Sequence, residues 1–153
     1  MELNELLVKA SMDGDVARIS ALLAEGADVH FRHEDPIHWA ARNEHPQAVQ
    51  LLLAHGANPE DGLYGAAKSG SREMILMFRW IDEAKPAYNA VMSMLASSGD
   101  LDLLKWFVDT FQVDPKSVDD EAIFVLDQFG GHGVMEYLLE AGHPKVHLAV
   151  NAE

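Results

Sequence analysis

Gly26-Ala27-Asp28-Val29 returns thirty positions further on as Gly56-Ala57-Asn58-Pro59. Ahead of each stands an aliphatic run, Ala21-Leu22-Leu23 and then Leu51-Leu52-Leu53. Ahead of those, at the same spacing, come Ala10-Ser11 and Ala40-Ala41. Self-similarity at such an interval marks a stacked array, in which one unit cannot bury its apolar face without a neighbour. Within a unit the apolar positions follow the helical period and not the strand period of two: Val16, Ile19, Leu22 and Leu23 in the first, Val49, Leu52 and Leu53 in the second. Gly26 and Gly56 stand just past these stripes, where a helix ends most readily in left-handed backbone. Gly14 separates the two helices of the first unit. Each unit therefore reads as a helix pair. The first helix is short and rich in small residues, so that a neighbouring helix can come close; the second carries the aliphatic stripe.

Three further units can be traced outward from these two. Ala66-Ala67-Lys68-Ser69-Gly70 precedes Ile75, Met77 and Phe78; Ala96-Ser97-Ser98-Gly99 precedes Leu101, Leu104, Phe107 and Val108; Gly130 precedes Met135, Leu138, Leu139 and Gly142. The turn inside each unit ends on glycine except in the second, where Glu44 takes that place. The pattern predicts an all-α chain of ten helices in one array over residues 1–142, with units at about 4–30, 31–59, 60–86, 87–117 and 118–142. Residues 143–153 are expected to form a C-terminal tail, loosely held from Pro144 onward.

Asp35-Pro36-Ile37-His38-Trp39-Ala40-Ala41 resembles the ankyrin signature Thr-Pro-Leu-His-x-Ala-Ala, and Leu51-Leu52-Leu53-Ala54-His55-Gly56-Ala57-Asn58 resembles its second half. The resemblance implies an ankyrin-type solenoid and a general role in binding another protein without catalysis; it names no partner. Ankyrin units usually repeat at about 33 residues, the surplus forming a projecting turn. Here the first interval is thirty, and little remains between Gly56 and Leu63. The projecting turns are thus expected to be short, and nearly absent after the second unit, which leaves the inner helices as the contact surface. In the ankyrin pattern the two residues after Ala-Ala face the concave groove. They correspond here to Met12 and Asp13, Arg42 and Asn43, Lys68 and Ser69, Ser97 and Ser98, Gln128 and Phe129, with Arg32 in the turn beside them. The ten paired positions hold two bases and one acid, so the groove is expected to be neutral to mildly basic. An acidic or polar partner segment is expected across Arg42, Lys68 and Phe129, with Arg42 offering a two-bonded grip on a carboxylate.

Composition narrows the remaining classes. Of 153 residues 48% are apolar and 24% charged, as in folded soluble proteins. There is no cysteine, which excludes disulfides, thiolate metal sites and cysteine nucleophiles. No run approaches the roughly 18 apolar residues of a membrane span, and the acidic start Met1-Glu2-Leu3-Asn4-Glu5 is unlike a secretory signal. The chain is expected in a cytoplasm, its own cell's or a host's, away from membranes and monomeric when alone. The net charge of -14, with eleven scattered bases, disfavours nucleic acid and favours encounter with a basic partner. Asp114, Asp119, Asp120 and Glu121 crowd one loop, stiffened by Pro115, into an acidic patch. The charge also supports an alternative, an acidic inhibitor or immunity-like protein that blocks a basic enzyme such as a nuclease.

A second alternative is a metal-dependent enzyme. His30, His33, His38, His45 and His55 fall within 26 residues among Asp28, Glu34 and Asp35. A metal needs such ligands to converge. The ordinary reading keeps them apart: His38 matches the signature histidine, which in ankyrins bonds within the turn, and His45 and His55 sit at helix ends. No cofactor or metal is expected. The carboxylate pairs Asp13/Asp15, Glu60/Asp61, Asp82/Glu83 and Asp100/Asp102 lie at helix starts and loops, where capping explains them without acid–base chemistry. Lys68-Ser69-Gly70-Ser71 lacks the leading glycines of a phosphate loop, and Gly130-Gly131-His132-Gly133 follows a helix and not a strand. Trp39, Trp80, Trp106, Phe78, Phe107 and Phe124 are expected to pack in the core. Phe31, Tyr64, Tyr88 and Phe129 map to turns or the open side, as binding anchors or as packing against a neighbouring unit.

Overall fold

Asp15, Asn58, Ser71, Asp100 and Asp119 each turn a side-chain oxygen onto a backbone N–H two or three residues ahead, at Arg18, Glu60, Met74, Leu103 and Ala122. These bonds satisfy donors that a helix start leaves open and so set where helices begin. The computed structural model describes residues 1–146. Among them are ten α-helices and no strand: α1 (Leu3–Asp13), α2 (Val16–Ala24), α3 (Phe31–Arg42), α4 (Pro46–Ala54), α5 (Pro59–Ser69), α6 (Arg72–Leu76), α7 (Tyr88–Ser97), α8 (Leu101–Phe111), α9 (Asp120–Phe129) and α10 (His132–Glu140). Short 3-10 segments cover Asp82–Ala87 and Pro115–Ser117. No helix among the described residues is long and apolar enough to cross a membrane.

The turns inside the units all end on a residue with positive φ. Gly14, Glu44, Gly70, Gly99 and Gly130 have φ of 70°, 62°, 74°, 80° and 83°. Glu44 therefore takes the positive φ that glycine takes in the other units. The projecting turns are short, and after Gly56 only Ala57 and Asn58 precede α5.

The chain divides into two compact units, Met1–Pro86 and Ala87–Glu153. In the first, α1, α3 and α5 pack side by side, and α2 and α4 pack on each other. Leu7, Ile19, Leu22, Ile37, Val49, Leu52, Leu63, Ile75 and Phe78 fill its core. α5 meets α3 through glycine: a methyl at Gly65 would stand 2.3 Å from the His38 carbonyl oxygen, and one at Gly62 would stand 2.6 Å from the Phe78 ring. In the second unit α7 packs against α8 and α9, and Val91, Met92, Leu104, Phe107, Leu126 and Leu138 form the core. Phe107 stacks on Phe111 at 4.4 Å, and Tyr88 meets Phe111 edge-on at 5.0 Å, so Tyr88 is a packing residue.

Two aromatics depart from the expected core. Trp80 is 80% exposed and Phe124 is 62% exposed. Trp80 lies beyond the five-residue α6, where the chain runs in turns and carries no stripe toward the core. Its ring is covered instead by the Arg79 guanidinium at 4.4 Å. The start of the tail is packed: His143 Nε2 lies 2.6 Å from the Val118 carbonyl oxygen, and Val146 is fully buried. Residues 147–153, where the rest of the expected loose tail falls, lie outside the described residues.

Candidate functional site

Ile37, Ala40 and Ala41 of α3 point into the core with no exposed surface. The helical period then leaves Trp39 and Arg42, three residues apart, as neighbours on the face turned away from the core. The Arg42 guanidinium lies over the Trp39 ring at 5.1 Å, which orients its fork. Lys68 projects from the last turn of α5 and is exposed. Between them His38 is half-buried, and its pKa is lowered from 6.5 first by burial and then by the charges of Lys68 and Arg42. The charge of Asp35 and the Asp61 backbone oppose that shift. No ion pair joins either Arg42 or Lys68 to a carboxylate among the described residues.

The other positions expected to face a partner are divided between structural bonds and open surface. The Met12 carbonyl accepts from Asn43 Nδ2 at 3.0 Å and lies 2.9 Å from His45 Nε2, so Met12 and Asn43 join α1 to the turn before α4. Asp13 is exposed. Arg32 pairs with Glu5 at 3.4 Å in an exposed contact and covers the Phe31 ring. Ser69, Ser97 and Ser98 donate to the carbonyls of Ala66, Met94 and Leu95 in their own helices. Gln128 is exposed beside Asp127, and Phe129 is 82% exposed. Of the residues expected to form an acidic patch, Asp114 caps a 3-10 segment, Asp119 caps α9, and Asp120 lies 3.9 Å from Lys145. Glu121 is exposed, with no ion pair among the described residues.

The histidines are dispersed among separate partners. His30 bonds to Glu34, His45 to Met12, His55 to the Leu51 carbonyl and His143 to the Val118 carbonyl. Among the described residues no three His, Asp or Glu side chains form a set that could hold a metal.

One feature had no mark in the sequence. Arg32, His33 and Glu34, in the first turn of α3, all take left-handed backbone, with φ of 50°, 54° and 71°. Of the three only His33 is of a residue type enriched there, and three in succession is unusual for any side chain. Tertiary bonds hold the turn: the Glu34 carboxylate bonds to His30 with one oxygen and accepts from the Asn58 N–H at 2.9 Å with the other. Beside it opens a cleft of about 600 Å³ lined in part by Asn58 and Asp61. The Asp61 carboxyl is pushed above its usual 3.8 by partial burial and then by the charges of Glu34 and Glu60.

A family model described as ankyrin repeats, in three copies, matches residues 6–89. The human 2-5A-dependent ribonuclease is 41% identical over 63 residues, which cover 39% of this chain and 8% of that protein. The bovine mitochondrial disaggregase is 43% identical over 61 residues, 37% of this chain and 9% of that protein. This chain thus matches less than a tenth of the length of either relative.

Proposed function

Because the chain belongs to the ankyrin-repeat family, whose members generally bind other proteins, we propose that it is a non-enzymatic interaction module whose partner lies on the inner helices. In the first unit the surface comprises Met12, Asp13, Arg32, Arg42, Asn43, Lys68 and Ser69; in the second, Ser97, Ser98, Gln128 and Phe129. Asp114, Asp119, Asp120 and Glu121 form an acidic rim that speeds encounter. One observation carries the reading. In a chain of net charge -14, Arg42 and Lys68 are exposed together beside His38 and form no ion pair with a carboxylate. Both charges act on the His38 ring, and neither is neutralised by an ion pair among the described residues although the chain is rich in acids. The Arg42 fork, steadied over Trp39, suits a carboxylate of the partner.

A displayed random-peptide library selected on the wild-type chain tests this. The recovered peptides should be rich in Asp and Glu. The double variant Arg42→Ala/Lys68→Ala, with an unchanged circular dichroism spectrum, should bind them about tenfold more weakly or worse, the loss of two charge-assisted contacts. Equal affinity of folded wild type and variant would remove this surface from the binding site.

A further inference from the structure

The second unit carries a cleft of its own between α7 and α9, of about 230 Å³. Its walls include Ala90, Met94 and Ser97 from α7 and Glu121, Ala122 and Val125 from α9. The α7 residues recur at intervals of three and four, so they form one face of that helix. The Asp119 N–H donates to Ser93 Oγ at 2.9 Å and fixes the start of α9 against α7. Along α9 the chemistry changes in order. Asp119 and Glu121 make the cleft acidic at the helix start, and Val125, with Met94 opposite, makes its middle apolar. Phe129 stands one turn beyond Val125, past the end of the cleft lining, 82% exposed.

Glu121, Val125 and Phe129 are four residues apart, which places them about 6 Å apart along the helix axis. Alternate side chains of an extended strand point to one side and repeat at about 6.6 Å. The two spacings match over three positions. We infer that this cleft receives an extended segment of a partner protein with the pattern basic-x-aliphatic-x-aromatic. The basic side chain lies against Glu121 and Asp119, the aliphatic one between Met94 and Val125, and the aromatic one on Phe129.

Charge and sequence both identify a foreign segment as the occupant. Asp120 already has Lys145 beside it, whereas Glu121 has no cation within ion-pair distance among the described residues. Asp119 accepts from the Ala122 N–H with one oxygen while capping α9 and is in no ion pair among the described residues. None of the eleven Lys and Arg residues of this chain is followed by an aliphatic residue at the second place and an aromatic one at the fourth. A second copy of the chain therefore cannot supply the pattern. The inference rests on the reading of the chain as a protein-binding module and adds to it a site whose charge preference is opposite to that of Arg42 and Lys68.

The probe is a synthetic peptide, acetyl-Ser-Lys-Ser-Leu-Ser-Phe-Ser-amide, titrated at low salt into the full ¹⁵N-labelled chain. Saturable shifts are expected at the amides of Met94, Glu121, Val125 and Phe129. Glu in place of Lys in the peptide should weaken binding about fivefold or more, and Glu121→Lys should reverse that preference. Val125→Asp, half-exposed and checked for folding by its own spectrum, should weaken binding about tenfold by placing a carboxylate in the apolar middle. Absence of saturable shifts at these amides overturns the inference. So does equal binding of the Lys and Glu peptides, or movement of the same amides with protein concentration alone, which would mean self-association. If this peptide fails while Arg42→Ala/Lys68→Ala still loses its own selected peptides, only the α7–α9 site falls and the binding-module reading stands.

Discussion

His38 reports on the charge around it. Its ring is held below 6.5 by burial first, then by Lys68 and Arg42. As pH falls the unfolded chain takes up this proton before the folded chain does, so the contribution of His38 to stability is present above 6.5 and is lost as pH drops toward its folded pKa. His30 is opposite in sign. Its pKa is raised chiefly by the bond to Glu34, so its contribution is present below 6.5 and fades as pH rises through the folded value. An NMR titration of the His38 ring should give a midpoint below 6.5, and Lys68→Ala should move that midpoint upward. A midpoint that ignores the removal of Lys68 would separate the cation from the ring and weaken the case for a shared basic surface. Glu44 shows how far a repeat can be read from single residues. Its left-handed φ of 62° follows from its place in a column of glycines, although its own chemistry does not ask for it. Trp80 and Phe124 show where such reading stops. Helical spacing tells which side chains share a face, but burial also requires another element to lie on that face.

The turn at Arg32, His33 and Glu34 is an element that local propensity opposes. Left-handed backbone costs a residue with a Cβ roughly 1–2 kcal/mol, and here three occur in succession. The bonds of Glu34 to His30 and the Asn58 N–H help hold it. His33 is exposed, so His33→Gly should relieve its share of the strain at the expense of a more flexible unfolded chain. The net gain should be about 0.5–1 kcal/mol, read as a higher urea midpoint with an unchanged slope. A loss of stability would show that the backbone there is not left-handed. Sequence could not reveal this turn, because the bonds that hold it join residues up to 24 positions apart. The helix starts were readable for the opposite reason. Asp15, Asp100 and Asp119 cap within three residues of themselves, so their chemistry is local.

Across the first unit, stability depends on side chains shared between neighbouring repeats. Leu52 has no exposed surface. Leu52→Ala should cost about 2–5 kcal/mol in equilibrium unfolding, through lost burial and the cavity left behind. A cost below about 1 kcal/mol would place Leu52 outside the load of the core. The periodicity of the chain made this core readable, because each aliphatic stripe has only a neighbouring helix against which to hide. The α7–α9 cleft was not readable, since Met94 and Val125 look like ordinary core positions until the packing leaves them half open. The contact between α3 and α5 has a consequence for how such a protein can change over generations. Each repeat of such an array contacts only its neighbours, so one repeat can be exchanged for another only where both of its junctions accept the newcomer. At Gly65 the absent side chain leaves room for the His38 carbonyl, so even alanine would stand 2.3 Å from that oxygen. A unit copied from elsewhere, carrying Lys9 or Trp39 at the matching position, could not replace the third without moving α3. Exchange of the third repeat for another copy would therefore require a matching change in α3 of the second repeat.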